Sequence, residues 1–158
     1  MTTTPNPELD LVLEREIDVD PKLVWEAWTD PEQLKVWFTP QPWRTVSCTI
    51  DLRPGGLFHT TMASPEGDEY PNDGCYLEVV DGERLVFTSA LTEGFRPVAA
   101  DLPFTAVVEI EPNGSGGTRY RATACHADAA GKSQHEEMGF MDGWGAALDQ
   151  LVAHAKSR

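Results

Sequence analysis

Apolar and acidic residues alternate from Leu9 to Val19. Leu9, Leu11, Leu13, Ile17 and Val19 share one parity, and Asp10, Glu14, Glu16 and Asp18 the other. A period of two predicts a strand with one buried face. Asp20-Pro21 then supplies a helix cap followed by proline at the first helical position. Leu23, Val24, Ala27 and Trp28 recur at helical spacing behind it. Thr29-Asp30-Pro31 ends that helix and caps a second short one carrying Leu34, Trp37 and Phe38, which Pro40 and Pro42 stop. Strand patterns follow at 43–51, 56–62, 74–80 and 84–91, joined by turn-rich stretches such as Ser64–Asp68 and Asp81-Gly82. Two more strands, 104–111 and 118–126, flank the turn 112–117, and Tyr120, Ala122, Ala124 and His126 share one face of the second.

The C-terminal segment changes period. Ser133 with Glu136 three residues on reads as a capping box. Met138, Met141, Trp144, Leu148, Leu151, Val152 and Ala155 then form a helical stripe. Gly139, Gly143 and Gly145 fall inside that helix, where each costs about 1 kcal/mol relative to alanine. Their clustering predicts a close neighbour or space left open. The order is one strand, two short helices, six strands and one long helix. Short connections predict a mainly antiparallel seven-stranded sheet, curved around a single apolar-striped helix, hence an α+β fold.

A chain of 158 residues suits one domain. Residues 1–8 read as a flexible tail, and 9–158 as that domain. The first residues lack the basic and apolar regions of a secretory signal, so the expectation is a cytoplasmic protein with no membrane span. A net charge of −14 repels nucleic acid and anionic membranes alike. The three cysteines, Cys48, Cys75 and Cys125, stand far apart in strand-like runs, arguing against a disulfide framework or a zinc site.

Several motifs together resemble the START-like (SRPBCC) superfamily, in the branch named after activators of a heat-shock chaperone ATPase. They are Arg15-Glu16-Ile17, Val24-Trp25-Glu26-Ala27-Trp28, Asp51-Leu52-Arg53-Pro54-Gly55-Gly56, Gly74–Glu78, Arg84–Thr88, Met138-Gly139-Phe140 and Gly143-Trp144. The resemblance spans nearly the whole chain after the first eight residues. It implies a helix-grip fold with a cavity between the sheet and the C-terminal helix.

Candidate chemistry is weighed on that frame. Asp51–Gly56 lacks the lysine of a phosphate loop, and a strand follows its glycines, so it reads as a tight turn. His135-Glu136-Glu137 lacks the second histidine of a zinc helix. No metal or cofactor is expected. The aromatic set is more telling. Trp37, Phe38, Trp43, Phe87, Phe104 and Trp144, with the adaptable pair Met138 and Met141, are the expected cavity wall. His59, Tyr76 and His126 are its expected polar members. The leading expectation is a binder of a small hydrophobic or aromatic molecule, without covalent chemistry. A second reading is an enzyme of cyclase, aromatase or hydrolase type, drawing on His59, His126, Tyr76 and Glu78. A third, implied only by the resemblance, is a chaperone ATPase as partner. Exposed strand edges allow a homodimer.

Overall fold

The computed structural model describes residues 4–158. Its elements run β1 (Asp10–Ile17), α1 (Pro21–Thr29), α2 (Pro31–Trp37), β2 (Arg44–Ile50), β3 (Leu57–Ala63), β4 (Glu69–Val80), β5 (Arg84–Thr88), β6 (Leu91–Thr92), β7 (Arg96–Pro97), β8 (Thr105–Pro112), β9 (Thr118–Cys125), α3 (Ala129–Glu137) and α4 (Phe140–Lys156). Seven strands form one antiparallel sheet in the order β1-β9-β8-β5-β4-β3-β2. The chain enters at one edge with β1, crosses by α1 and α2 to the far edge at β2, and then returns strand by strand. Among the described residues, no helix is long and apolar enough to cross a membrane.

The alternation in β1 does what its pattern predicts. Leu11, Leu13 and Ile17 are buried against the helices, while Glu14 is exposed. On β9, Tyr120, Ala122 and Ala124 face the same interior. The opposite sheet face carries a ladder of ion pairs. Glu109 accepts from Arg121 at 2.9 Å and from Arg84 at 3.1 Å, and Arg84 also pairs with Glu78. Charged residues on one face and apolar ones on the other hold the sheet in register, because a one-residue slip would exchange the faces.

Both short helices are capped as their sequences dictate. The Asp20 carboxylate accepts from the backbone N–H of Lys22, and the Asp30 carboxylate from that of Glu32. The C-terminal helix differs from expectation. It is two helices, broken at Gly139, whose φ of +92° belongs to the left-handed region. Glycine alone adopts that conformation without strain. Asp128, not Ser133, caps the first of them, accepting from the Gly131 N–H at 2.7 Å. Ser133 sits exposed within α3. β4 begins at Glu69, earlier than Gly74, because Pro71-Asn72-Asp73 pairs with β3 despite its turn-like composition. The run 84–91 stops at Thr88, and Leu91–Thr92 pairs separately with Arg96–Pro97.

Asp51–Gly56 is a turn between β2 and β3. Gly55 has φ +82°, its N–H donates to Tyr76 O at 2.7 Å, and its carbonyl accepts from Gly94 N at 2.8 Å. A Cβ on Gly55 would meet the Phe95 ring at 2.7 Å. The glycines admit a neighbouring loop. At the other end of the chain, part of the expected tail (residues 1–3) lies outside the described residues. From Asn6 the backbone is tied down: Asn6 O accepts from Asp10 N at 2.8 Å, and Lys132 Nζ donates to Pro7 O at 2.7 Å.

Candidate functional site

Between the sheet and α4 lies a cavity of about 370 Å³, partly open to solvent. Phe58, Thr60 and Met62 of β3 alternate into it, as a half-buried strand requires. Phe87, Thr88 and Ser89 at the end of β5, and Phe104 before β8, continue this floor. Phe140, Gly143, Trp144, Ala147 and Leu148 of α4 form the roof, at the spacing of one helical face. Trp37 to Pro40 close one flank, and Met138-Gly139 at the helix break stands at another.

The aromatic lining divides into two groups. In one, Trp28 meets Trp37 edge-on at 4.9 Å and Phe38 at 5.8 Å, and Phe58 meets Phe87 at 4.9 Å. In the other, Phe104 lies 4.9 Å from the His135 ring, and Phe140 lies 4.8 Å from Trp144. The contacts of the first group are edge-to-face and those of the second tilted, and both arrangements hold the rings in fixed orientations. No lysine or arginine lines the cavity.

Two polar clusters interrupt the apolar wall. The Tyr120 hydroxyl accepts from the Trp28 indole N–H at 3.2 Å, and its own proton finds no acceptor among the described residues. Burial pushes the Tyr120 hydroxyl well above the usual phenol range, so it stays protonated. The second cluster is a histidine pair. Nδ1 of His126 lies 2.7 Å from the Leu9 carbonyl oxygen, and its Nε2 lies 2.9 Å from Nδ1 of His135. Burial, and next the neighbouring His126, lower the His135 pKa to about 4. His135 is therefore neutral at physiological pH.

Of the residues expected to form the wall, Trp37, Phe38, Phe87, Phe104, Met138 and Trp144 line the cavity. Five others lie elsewhere. Trp43 packs on Tyr70 at 5.6 Å, away from the cavity. His59 is on the other side of β3 from Phe58 and Thr60, 2.6 Å from the Asp73 carboxylate and 3.1 Å from the Thr61 hydroxyl. Tyr76 stacks behind Phe58 at 5.2 Å and is fully buried. His126 stands behind His135 rather than on the wall. Met141 points outward, 48% exposed, because the break at Gly139 re-phases α4 and turns Phe140 inward instead. Glu78 belongs to the outer ion-pair ladder.

Several lining residues escaped the sequence reading. Tyr120 was legible from the alternation of β9, and Trp28 and Phe58 from their own periodicity. His135 had no such signal, since α3 brings it to His126 only through the tertiary fold.

Burial raises both Cys48 and Cys125 to about 11, keeping them protonated. Among the described residues, no three His, Cys, Asp or Glu side chains are grouped to hold a metal ion.

The architecture has close relatives. The chain is 49% identical to protein NE0264 from Nitrosomonas europaea over 97% of each chain, with a TM-score of 0.93. Protein Ms6760 from Mycobacterium smegmatis is 27% identical, covers 93% of this chain and 90% of its own, and superposes with a TM-score of 0.77. An AHSA1-like protein from Aeromonas hydrophila shares the fold at 23% identity and a TM-score of 0.72, over 94% of this chain and 93% of its own. A search of the curated proteins finds no match. Residues 18–156 match the family described as Activator of Hsp90 ATPase homolog 1-like protein. With that match running from just after β1 to the end of α4, the chain belongs to this family and, with it, to the START-like superfamily of helix-grip proteins.

Proposed function

We propose that the protein binds a small, largely apolar or aromatic molecule in the cavity beneath α4, without covalent chemistry. One observation carries this reading: a space of about 370 Å³ bounded mainly by apolar surface and rich in aromatic rings. That volume falls at the lower end of small-molecule sites, which are typically mostly apolar with a few placed polar groups. The absence of lysine and arginine from the lining disfavours a ligand with an anionic head, whose desolvation nothing would offset.

Gly143 offers a direct test. A Cβ at this position meets nothing within 4 Å, so it borders open space, and a phenylalanine there fills part of the cavity. NMR titration with 2-methylnaphthalene should give saturable shifts at Phe58, Phe104, Gly143 and Trp144 in the natural chain. Folded Gly143→Phe should lose them. Shifts confined to exposed apolar residues such as Phe95 and Val98, or identical in both proteins, would sink the reading.

A further inference from the structure

The histidine pair specifies the chemistry of the polar end of the ligand, on the reading of the cavity as a ligand site. The Leu9 carbonyl only accepts, so the proton between it and His126 sits on His126 Nδ1. A His126 ring carrying that one proton has a lone pair on Nε2. The 2.9 Å contact to His135 therefore places a proton on His135 Nδ1, donated to His126. Neutral His135 is left with its own lone pair on Nε2. That atom has no hydrogen-bond partner among the described residues, and it is not sealed within the protein. His135 borders the cavity.

Packing fixes the ring as well as its tautomer. Phe104 at 4.9 Å, Phe140 at 5.1 Å and Trp144 at 6.3 Å, all of which also line the cavity, pack around the imidazole. An unpaired acceptor on a ring held in one orientation at the border of an apolar cavity discriminates in favour of a ligand that satisfies it. We propose that His135 Nε2 accepts a hydrogen bond from a hydroxyl or N–H group of the ligand. The ligand class is then a neutral aromatic or alicyclic molecule with one such donor, as in a phenol or an alcohol. Carboxylic acids ionised at neutral pH are rejected, since an acceptor lone pair repels them. His126 is a positioning residue in this scheme: it sets the tautomer and touches no ligand.

The test uses two probes of nearly one shape, 2-naphthol and 2-methylnaphthalene, which exchange a hydroxyl for a methyl group. Calorimetric dissociation constants are measured for both, on the natural chain and on His135→Phe. The expected result is a shift in their ratio of roughly tenfold against 2-naphthol in the variant. An unchanged ratio, with both probes bound in the cavity, overturns this inference and leaves the apolar site standing. Failure of both probes to bind the natural chain overturns both. Nitrogen NMR of the unsubstituted protein provides a measurement independent of how the variant folds. It should find the His135 proton on Nδ1, and a proton on Nε2 at pH about 7.5 overturns the inference.

Discussion

The side-chain amide of Gln150 donates to the backbone carbonyl of Trp37 at 2.9 Å, and to that of Thr39 at the same distance. Its oxygen accepts from the Gln41 N–H at 2.9 Å. One residue of α4 thereby holds the loop that closes a flank of the cavity, where neither sheet nor helix can satisfy the backbone. Gln150→Leu keeps the approximate volume and removes all three bonds. Urea unfolding should show a loss of about 2 kcal/mol, since each net bond contributes about 0.5–1.5 kcal/mol. A loss below about 0.5 kcal/mol would mean that water replaces the amide without cost.

Three glycines of the C-terminal segment should respond differently to alanine. Gly143 is helical with open space beyond it, so Gly143→Ala should stabilise by up to about 1 kcal/mol. Gly139 needs its positive φ, and Gly139→Ala should cost about 1–2 kcal/mol although no atom stands in the way. A Cβ on Gly145 would meet the Arg15 guanidinium at 2.7 Å. Arg15 is a long side chain paired with the exposed Asp149, so it can swing aside and Gly145→Ala should be nearly neutral. Thermal melts of the three variants check the order. Equal shifts would contradict it.

Two buried tyrosines should give opposite results when their hydroxyls are removed. Tyr120 is the acceptor for the buried Trp28 N–H, and Tyr120→Phe orphans that donor at a cost of about 1–3 kcal/mol. The Tyr76 hydroxyl is buried with no hydrogen-bond partner among the described residues. Tyr76→Phe should therefore be neutral or stabilising by about 1 kcal/mol. Chemical denaturation of both variants tests the pair, and a destabilised Tyr76→Phe would reveal a partner for that hydroxyl.

Stability should fall in mild acid through His135. Its folded pKa of about 4 lies below the unfolded value of about 6.5, so the unfolded chain takes up the proton first. Above pH about 6.5 both states are neutral and this contribution is flat. Between about 6.5 and 4 it erodes stability by at most about 1.4 kcal/mol per pH unit. Between pH about 7.5 and 5 the melting temperature of the natural chain should fall further than that of His135→Phe. Parallel curves would show that His135 protonates as readily folded as unfolded.

Local chemistry was enough to read much of this protein from its residues. The alternation of Leu9–Val19 and of Thr118–His126 marks strands because the pleat sends neighbouring side chains to opposite faces. Asp20-Pro21 and Asp30-Pro31 mark helix starts because each carboxylate satisfies a backbone N–H within two residues. Periodicity and connection lengths then lead to an antiparallel sheet and a covering helix. What went astray was long-range. His59 lies on the face opposite Phe58 and Thr60, because strand parity is decided by pairing with β2 and β4. Met141 leaves the apolar stripe because the left-handed Gly139 resets the helical phase.

The sequence by itself thus determined most of the elements, their order and which type of face each would bury, since these depend on interactions a few residues apart. Only the tertiary structure decided which aromatic rings border a cavity and which fill the core. It alone brought His135 to His126 and the Leu9 carbonyl, and set Gln150 against the backbone of Trp37. Those relationships span up to 117 residues of chain. They are consequences of how the sheet curves and where α4 settles on it, and no local pattern encodes them.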